Sequence, residues 1–163
     1  MTGKKYKLPT EAQWEYAARG GQKSKGLLYP GSNKVEDVAW LRTNSGFETH
    51  PVGEKLPNEL GIYDMAGNVI EWCSDWYGDN YYSKCKKKGT VKNPTGTRRG
   101  EFKVLRGGNW FETKGNCTCF YRAGHDLQSH VAYIGFRIVL SPSFFVYVEH
   151  CYVITVLCYL FHC

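Results

Sequence analysis

Apolar positions in this chain gather in short runs, and residues 8–18, LPTEAQWEYAA, carry the clearest helical pattern, with Trp14, Ala17 and Ala18 three and four residues apart. Thr10 after Pro9 supplies an N-cap, Gln13 stands at the capping-box position, and Gly20-Gly21 ends the helix. From Tyr29 to Gly61 the chain is punctuated by Pro30, Gly31, Asn44, Gly46, Pro51, Gly53 and Pro57, which predicts ordered loop with small strands. Residues 62–77, IYDMAGNVIEWCSDWY, mix bulky, small and acidic groups and predict a compact aromatic-walled turn, followed by a polar segment at 78–101. KVLRGGNW at 103–110 and YIGFRIVL at 133–140 alternate apolar and polar residues around glycines, and predict two strands paired within one small sheet.

From Ser141 the pattern changes. Residues 141–163 hold no Lys or Arg, and three of the seven cysteines fall in the last 13 residues. The apolar stretch 151–161 is shorter than the roughly 20 residues a bilayer crossing takes, so no membrane span is expected. The segment reads first as an aggregation-prone or read-through tail and second as an extra core strand.

Composition narrows the class. At 163 residues and 42% hydrophobic, one domain with a substantial core is expected. Aromatics at 15% and 18 glycines suit short strands and ordered loops better than a helical bundle. The net charge of +6 is concentrated between Lys84 and Arg106, which reads as a solvated loop; without a zinc finger, helix-turn-helix or ribonucleoprotein motif, nucleic acid is not an expected partner. Seven cysteines leave at least one without an intramolecular partner, and none shows zinc spacing. The N-terminus lacks the apolar core of a signal peptide, so the cytoplasm is the default compartment, with the cell surface or secretion expected if an upstream signal is missing.

YKLPTEAQWEYAARGG, HPVGEKLPNELGIYDMAGNVIEWCSDWYG, NPTG, LRGGNW and IGFRIV occur in that order, and through them residues 6–140 resemble the formylglycine-generating enzyme (sulfatase-modifying factor) family. The resemblance implies an α+β domain at 1–140 with an irregular C-type-lectin-like fold and little regular secondary structure. It also implies that the family's usual segment ahead of KLPTEAQWEY, with a further helix and strands, is missing here.

In the family's oxidases, the segment after the paired glycines carries two cysteines five positions apart that bind copper and convert a substrate cysteine to formylglycine. Here Cys117 matches the second, and Glu112 stands in place of the first. A hard carboxylate does not hold Cu(I) as a thiolate does, and Asn109 replaces the oxidases' serine, so copper and catalysis are not expected. If the segment is extended, Cys117 and Cys119 share a face and Thr118 points away. The alternative remains a copper-dependent oxidase acting through Cys117.

The segment also resembles the variable proteins of diversity-generating retroelements, in which this fold presents a hypervariable patch between RGGSW-like and IGFR-like framework pieces. That resemblance implies a non-catalytic ligand-binding surface at residues 111–133, made of Phe111, Thr113, Thr118, Phe120, Tyr121, Ala123, Gly124, His125, Asp126, Ser129, His130, Val131, Ala132 and Tyr133, with Arg122 in the framework. The partner is an unidentified protein or small molecule. An ordinary surface loop of an inactive family member is the competing reading.

The family resemblance further implies a calcium site at Asp64, Gly67, Val69 and Glu71, whose hard oxygens are what Ca²⁺ requires. The alternative at this point is a capped turn with a buried Glu71 paired to an arginine.

Overall fold

The computed structural model describes residues 5–129, 131–141 and 153–154. Strand β1 (Lys5–Lys7) leads into helix α1 (Glu11–Ala18), which starts as the sequence predicts. Thr10 Oγ1 accepts from the Gln13 amide at 3.2 Å, and Gln13 Oε1 accepts from the Thr10 amide at 3.0 Å. Two amides that the helix leaves without partners are thereby satisfied. Trp14, Ala17 and Ala18 are buried and pack with Met65, Cys73 and Val104.

The loop-rich stretch that follows holds helix α2 (Val35–Val38) and strand β2 (Ala39–Trp40), and β2 pairs in parallel with β3 (Ala66–Gly67). Gly67 is required at this crossing. Its φ is +68°, and a Cβ there would stand 2.2 Å from the Trp40 carbonyl oxygen. A second apolar cluster gathers here from Tyr29, Val35, Val38, Ala39, Leu41, Ala66 and Cys117.

Next come β4 (Ile70–Trp76), α3 (Tyr81–Lys88), β5 (Phe102–Arg106), β6 (Arg122–Asp126) and β7 (Ile134–Phe136). The four strands form one sheet in the order β6-β5-β4-β7, with β7 parallel to β4 and the other pairings antiparallel. Of the two strands expected around 103–110 and 133–140, the second is split: β7 shares this sheet with β5 without pairing to it, and Ile138–Ser141 belongs to another sheet. Between β5 and β7 lies β4, drawn from the segment expected to be a turn. Its alternation is real but disguised. Glu71, Cys73 and Asp75 are buried, while Trp72, Ser74 and Trp76 stand on the opposite face. Two of the three inward positions are acids, and both are satisfied there: Glu71 accepts from the Trp14 indole at 2.7 Å and Asp75 from the Glu11 amide at 3.0 Å.

Helix α1 is clamped to the sheet by charge. Arg122 grips Glu11 through Nε–Oε1 at 2.7 Å and Nη2–Oε2 at 2.6 Å, a two-pronged fork, and Arg106 reaches Glu15 at 2.5 Å. The basic segment read as a solvated loop is in part the helix α3, whose residues are all at least partly exposed and whose last turn carries Lys86, Lys87 and Lys88. Lysines there face the negative end of the helix dipole.

Strand β8 (Ile138–Ser141) pairs antiparallel with β1 and with β9 (Val153–Ile154). Of the tail, Ser141 ends β8 and residues 153–154 form β9; the rest of it, on which its two expected roles turn, lies outside the described residues. With three short helices, small sheets and much irregular chain among the described residues, the molecule is α+β as expected. Among the described residues, no helix is long and apolar enough to cross a membrane.

Candidate functional site

After β5 the chain turns through Gly107-Gly108 and is stitched to the body by main-chain groups. The Trp110 amide donates to Asn68 O at 2.9 Å, the Arg42 amide to Glu112 O at 3.1 Å, and Ser45 Oγ to Trp110 O at 2.9 Å. Further along, the Cys119 amide donates to Leu28 O at 3.1 Å, and Arg106 donates to the carbonyls of Cys119 and Tyr121. These bonds use almost no side chain from residues 110–121. The path of the segment is therefore fixed largely independently of what it presents.

Cys117 and Cys119 do not share a face of an extended segment, because Lys114–Cys117 forms a tight 3-10 turn. Cys117 is buried in the cluster around Val35 and Ala66, whereas Cys119 lies against the carbonyls of Ala18 and Leu27, each 3.9 Å from its sulfur. Thr118, expected on the ligand-binding surface, is only 5% exposed, and its hydroxyl donates to Gly115 O at 3.2 Å. Burial pushes the Cys117 thiol up to about 12, with the Glu112 charge adding to the effect, and pushes Cys119 up to about 11. At neutral pH both are thiols, which are poor nucleophiles and poor metal ligands.

Glu112 occupies the position of the oxidases' first thiolate. Burial raises its carboxyl above the usual range, and its Oε2 atom is buried with no hydrogen-bond partner among the described residues. A carboxyl and a protonated thiol do not make the soft pair that Cu(I) takes, so the residues present do not fit copper.

The other residues expected in the patch are spread over three settings. Phe111 and Phe120 are 53% and 54% exposed, and Thr113, Asp126 and Ala132 are exposed with them. Tyr121, Ser129, Val131 and Tyr133 are half-buried. Ala123, Gly124, His125 and Asp126 are not loop but strand β6, where Ala123 faces Leu105 and His125 faces Lys103 across the ladder. Gly124 packs against Tyr77, and a Cβ there would meet the ring at 2.7 Å. Of the expected set, His130 lies outside the described residues. Two aromatic partners had no sequence signal: Phe47, whose ring is 6.4 Å from Phe111, and Trp72, which takes the edge of His125 at 6.4 Å. Trp110 stands edge-on to Phe111 at 5.7 Å.

At the expected calcium site, Glu71 is paired to an arginine, as the alternative reading has it. Arg137 Nε lies 2.5 Å from Glu71 Oε2, and its Nη2 lies 2.6 Å from Oε1 and 3.0 Å from the Asp64 carbonyl. Asp64 Oδ2 accepts from the Gly53 amide at 2.8 Å. Burial raises the Asp64 carboxyl, Arg137 opposes that shift, and the Glu71 charge adds to it. Both Glu71 oxygens are therefore engaged by the guanidinium, while the Asp64 carboxylate is held by the Gly53 amide.

The family described as "Sulfatase-modifying factor enzyme 1-like domain" matches residues 1–142. Among similar proteins, the chaperone protein LppX of Paenibacillus barcinonensis is 36% identical over 153 residues, covering 83% of this chain and 49% of that protein. The formylglycine-generating enzyme of Streptomyces coelicolor is 35% identical over 146 residues, covering 80% of this chain and 45% of the enzyme. Among solved structures, Treponema denticola variable protein 1 is 35% identical with a TM-score of 0.72, over 85% of this chain and 49% of that one. The chain spans about half the length of these relatives.

Proposed function

The chain belongs to the sulfatase-modifying factor family, and on that premise we propose that it is a non-catalytic ligand-binding protein that displays side chains of residues 111–133 on a lectin-like scaffold. The observation that carries this reading is Glu112, which stands where the oxidases hold their first copper-binding thiolate. Three further features support it. The exposed Phe111 and Phe120 offer apolar contact area, the main-chain bonds of residues 110–121 tolerate changes of side chain, and a variable protein is among the chain's structural relatives. The ligand is a protein or a small molecule. Beside the coding sequence, a near-copy template repeat with a reverse transcriptase gene is the genomic signature that this reading expects.

Catalysis is tested directly. A sulfatase-type cysteine peptide incubated with the protein, copper and oxygen is expected to yield no peptide aldehyde by mass spectrometry. Aldehyde that forms with this chain and vanishes in Cys117→Ser would overturn the binding-only reading and restore the oxidase.

The scaffold is also proposed to take Ca²⁺, held by the Asp64 and Glu71 carboxylates with the carbonyls of Gly67 and Val69. A ligand that binds the folded state alone adds about 2.7 kcal/mol at roughly 100 times its dissociation constant. Chelation of a preparation shown to start calcium-loaded is therefore expected to lower the melting temperature, and an unchanged melt argues against the site.

A further inference from the structure

The sheet face turned away from α1 has its own cavity. Trp72 and Ser74 point outward on β4, and Lys103 points outward on β5 beside them. Leu8, just after β1, and Leu127, just after β6, help to line an open space of about 460 Å³ together with Lys7. Small-molecule sites run from roughly 300 to 1,000 Å³ and are mostly apolar with a few placed polar groups. This cavity has that size and make-up.

Lys103 is what gives the cavity chemical character. Its ammonium lies 3.9 Å from the centroid of the Trp76 ring and donates to Ser74 O at 2.6 Å. Among the described residues no carboxylate comes within 4.0 Å of it. Asp75, the acid that acts on it electrostatically, is turned to the other face of β4, where it accepts from the Glu11 amide. An ammonium carries three donors, and one of them is accounted for. A partly desolvated cation held by a ring face and one carbonyl gains from an anion. Burial has already lowered its proton affinity.

We propose that this cavity binds a small planar aromatic carboxylate, with the ring against Trp72 between Leu8 and Leu127 and the carboxylate on Lys103. Lys7 adds positive potential at the mouth. The inference does not rest on the display reading, although the cavity borders that surface: Leu127 falls within residues 111–133, and Trp72 and Lys103 neighbour His125.

Calorimetric titration of the full chain with 2-naphthoate, and with the neutral 2-naphthalenemethanol, tests it. Naphthoate is expected to bind saturably and at least tenfold more tightly than the alcohol, and Lys103→Met to abolish that preference while Trp72→Leu weakens both ligands. Because a variant that fails to fold says nothing, the native protein provides a second measurement. Naphthoate is expected to protect Lys103, and not the surface residue Lys87, from acetylation by acetic anhydride, read by peptide mass spectrometry. Absence of saturable binding, equal affinity for the two ligands, a preference that survives in a folded Lys103→Met protein, or equal protection of Lys87 each overturns the proposal.

Discussion

Arg137→Ala is expected to cost the fold about 3–5 kcal/mol, the range for removing one partner of a buried ion pair. Both side chains are almost fully buried, and the guanidinium also holds the Asp64 carbonyl. Without it, the buried Glu71 carboxylate keeps the Trp14 indole donor but loses its paired cation, and the Asp64 carbonyl loses a donor. The pair variant Glu71→Gln/Arg137→Met is expected to cost less than the sum of its two singles, because neither charge is stranded and the carboxamide placed at position 71 retains an oxygen for the Trp14 indole. Urea denaturation followed by circular dichroism measures the parent, Arg137→Ala, the pair variant and its singles Glu71→Gln and Arg137→Met. A loss below about 1 kcal/mol in Arg137→Ala would mean that the ion pair is not the internal tie described here.

The same pair shows why some of this molecule was legible in its sequence and some was not. Helix α1 could be read whole, because its cap, its capping box and its apolar stripe are all local, and local physics decides them. Strand β4 could not, because its inward face is written in acids. Glu71 and Asp75 break the apolar alternation that a strand reader counts, and they are tolerated only because Trp14, Arg137 and the Glu11 amide come from elsewhere in the chain. The arginine expected opposite Glu71 was foreseeable as a type, but its position 66 residues on was not. The clamp of Arg122 on Glu11 spans 111 residues and has no local trace.

The candidate site divides in the same way. The replacement of a thiolate by Glu112 is a matter of register and was visible. Which residues of 111–133 face solvent was not, because the 3-10 turn at 114–117 breaks the alternation that an extended segment would give. That turn buries Thr118, while the pairing of β6 with β5 draws Ala123, Gly124 and His125 into a sheet. Phe47 joins Phe111 from a distant loop earlier in the chain, through a main-chain φ of +66° that no periodicity announces.

Display on a fixed scaffold has a thermodynamic signature. Phe111→Ala and Phe120→Ala remove rings that are about half exposed, and the main-chain bonds around them remain, so their unfolding free energies are expected to stay within about 0.5 kcal/mol of the parent. His125→Ala loses one edge contact with Trp72 and is expected to stay near that range. Trp14→Ala opens the core under α1 and takes the indole donor from Glu71, and truncation of a buried aromatic costs roughly 3–5 kcal/mol. Gly124→Ala is expected to fall with the framework despite lying inside the displayed segment, because the Tyr77 ring must shift by several tenths of an ångström to admit a methyl group. Thr118→Ala is expected to join it, through a lost buried hydroxyl contact worth about 1 kcal/mol. Chemical denaturation of these single variants should therefore sort residues 111–133 by where their side chains point and not by their place in the chain. If Phe111→Ala and Phe120→Ala unfold as readily as Trp14→Ala, the segment is core, and a surface free to change its side chains is ruled out.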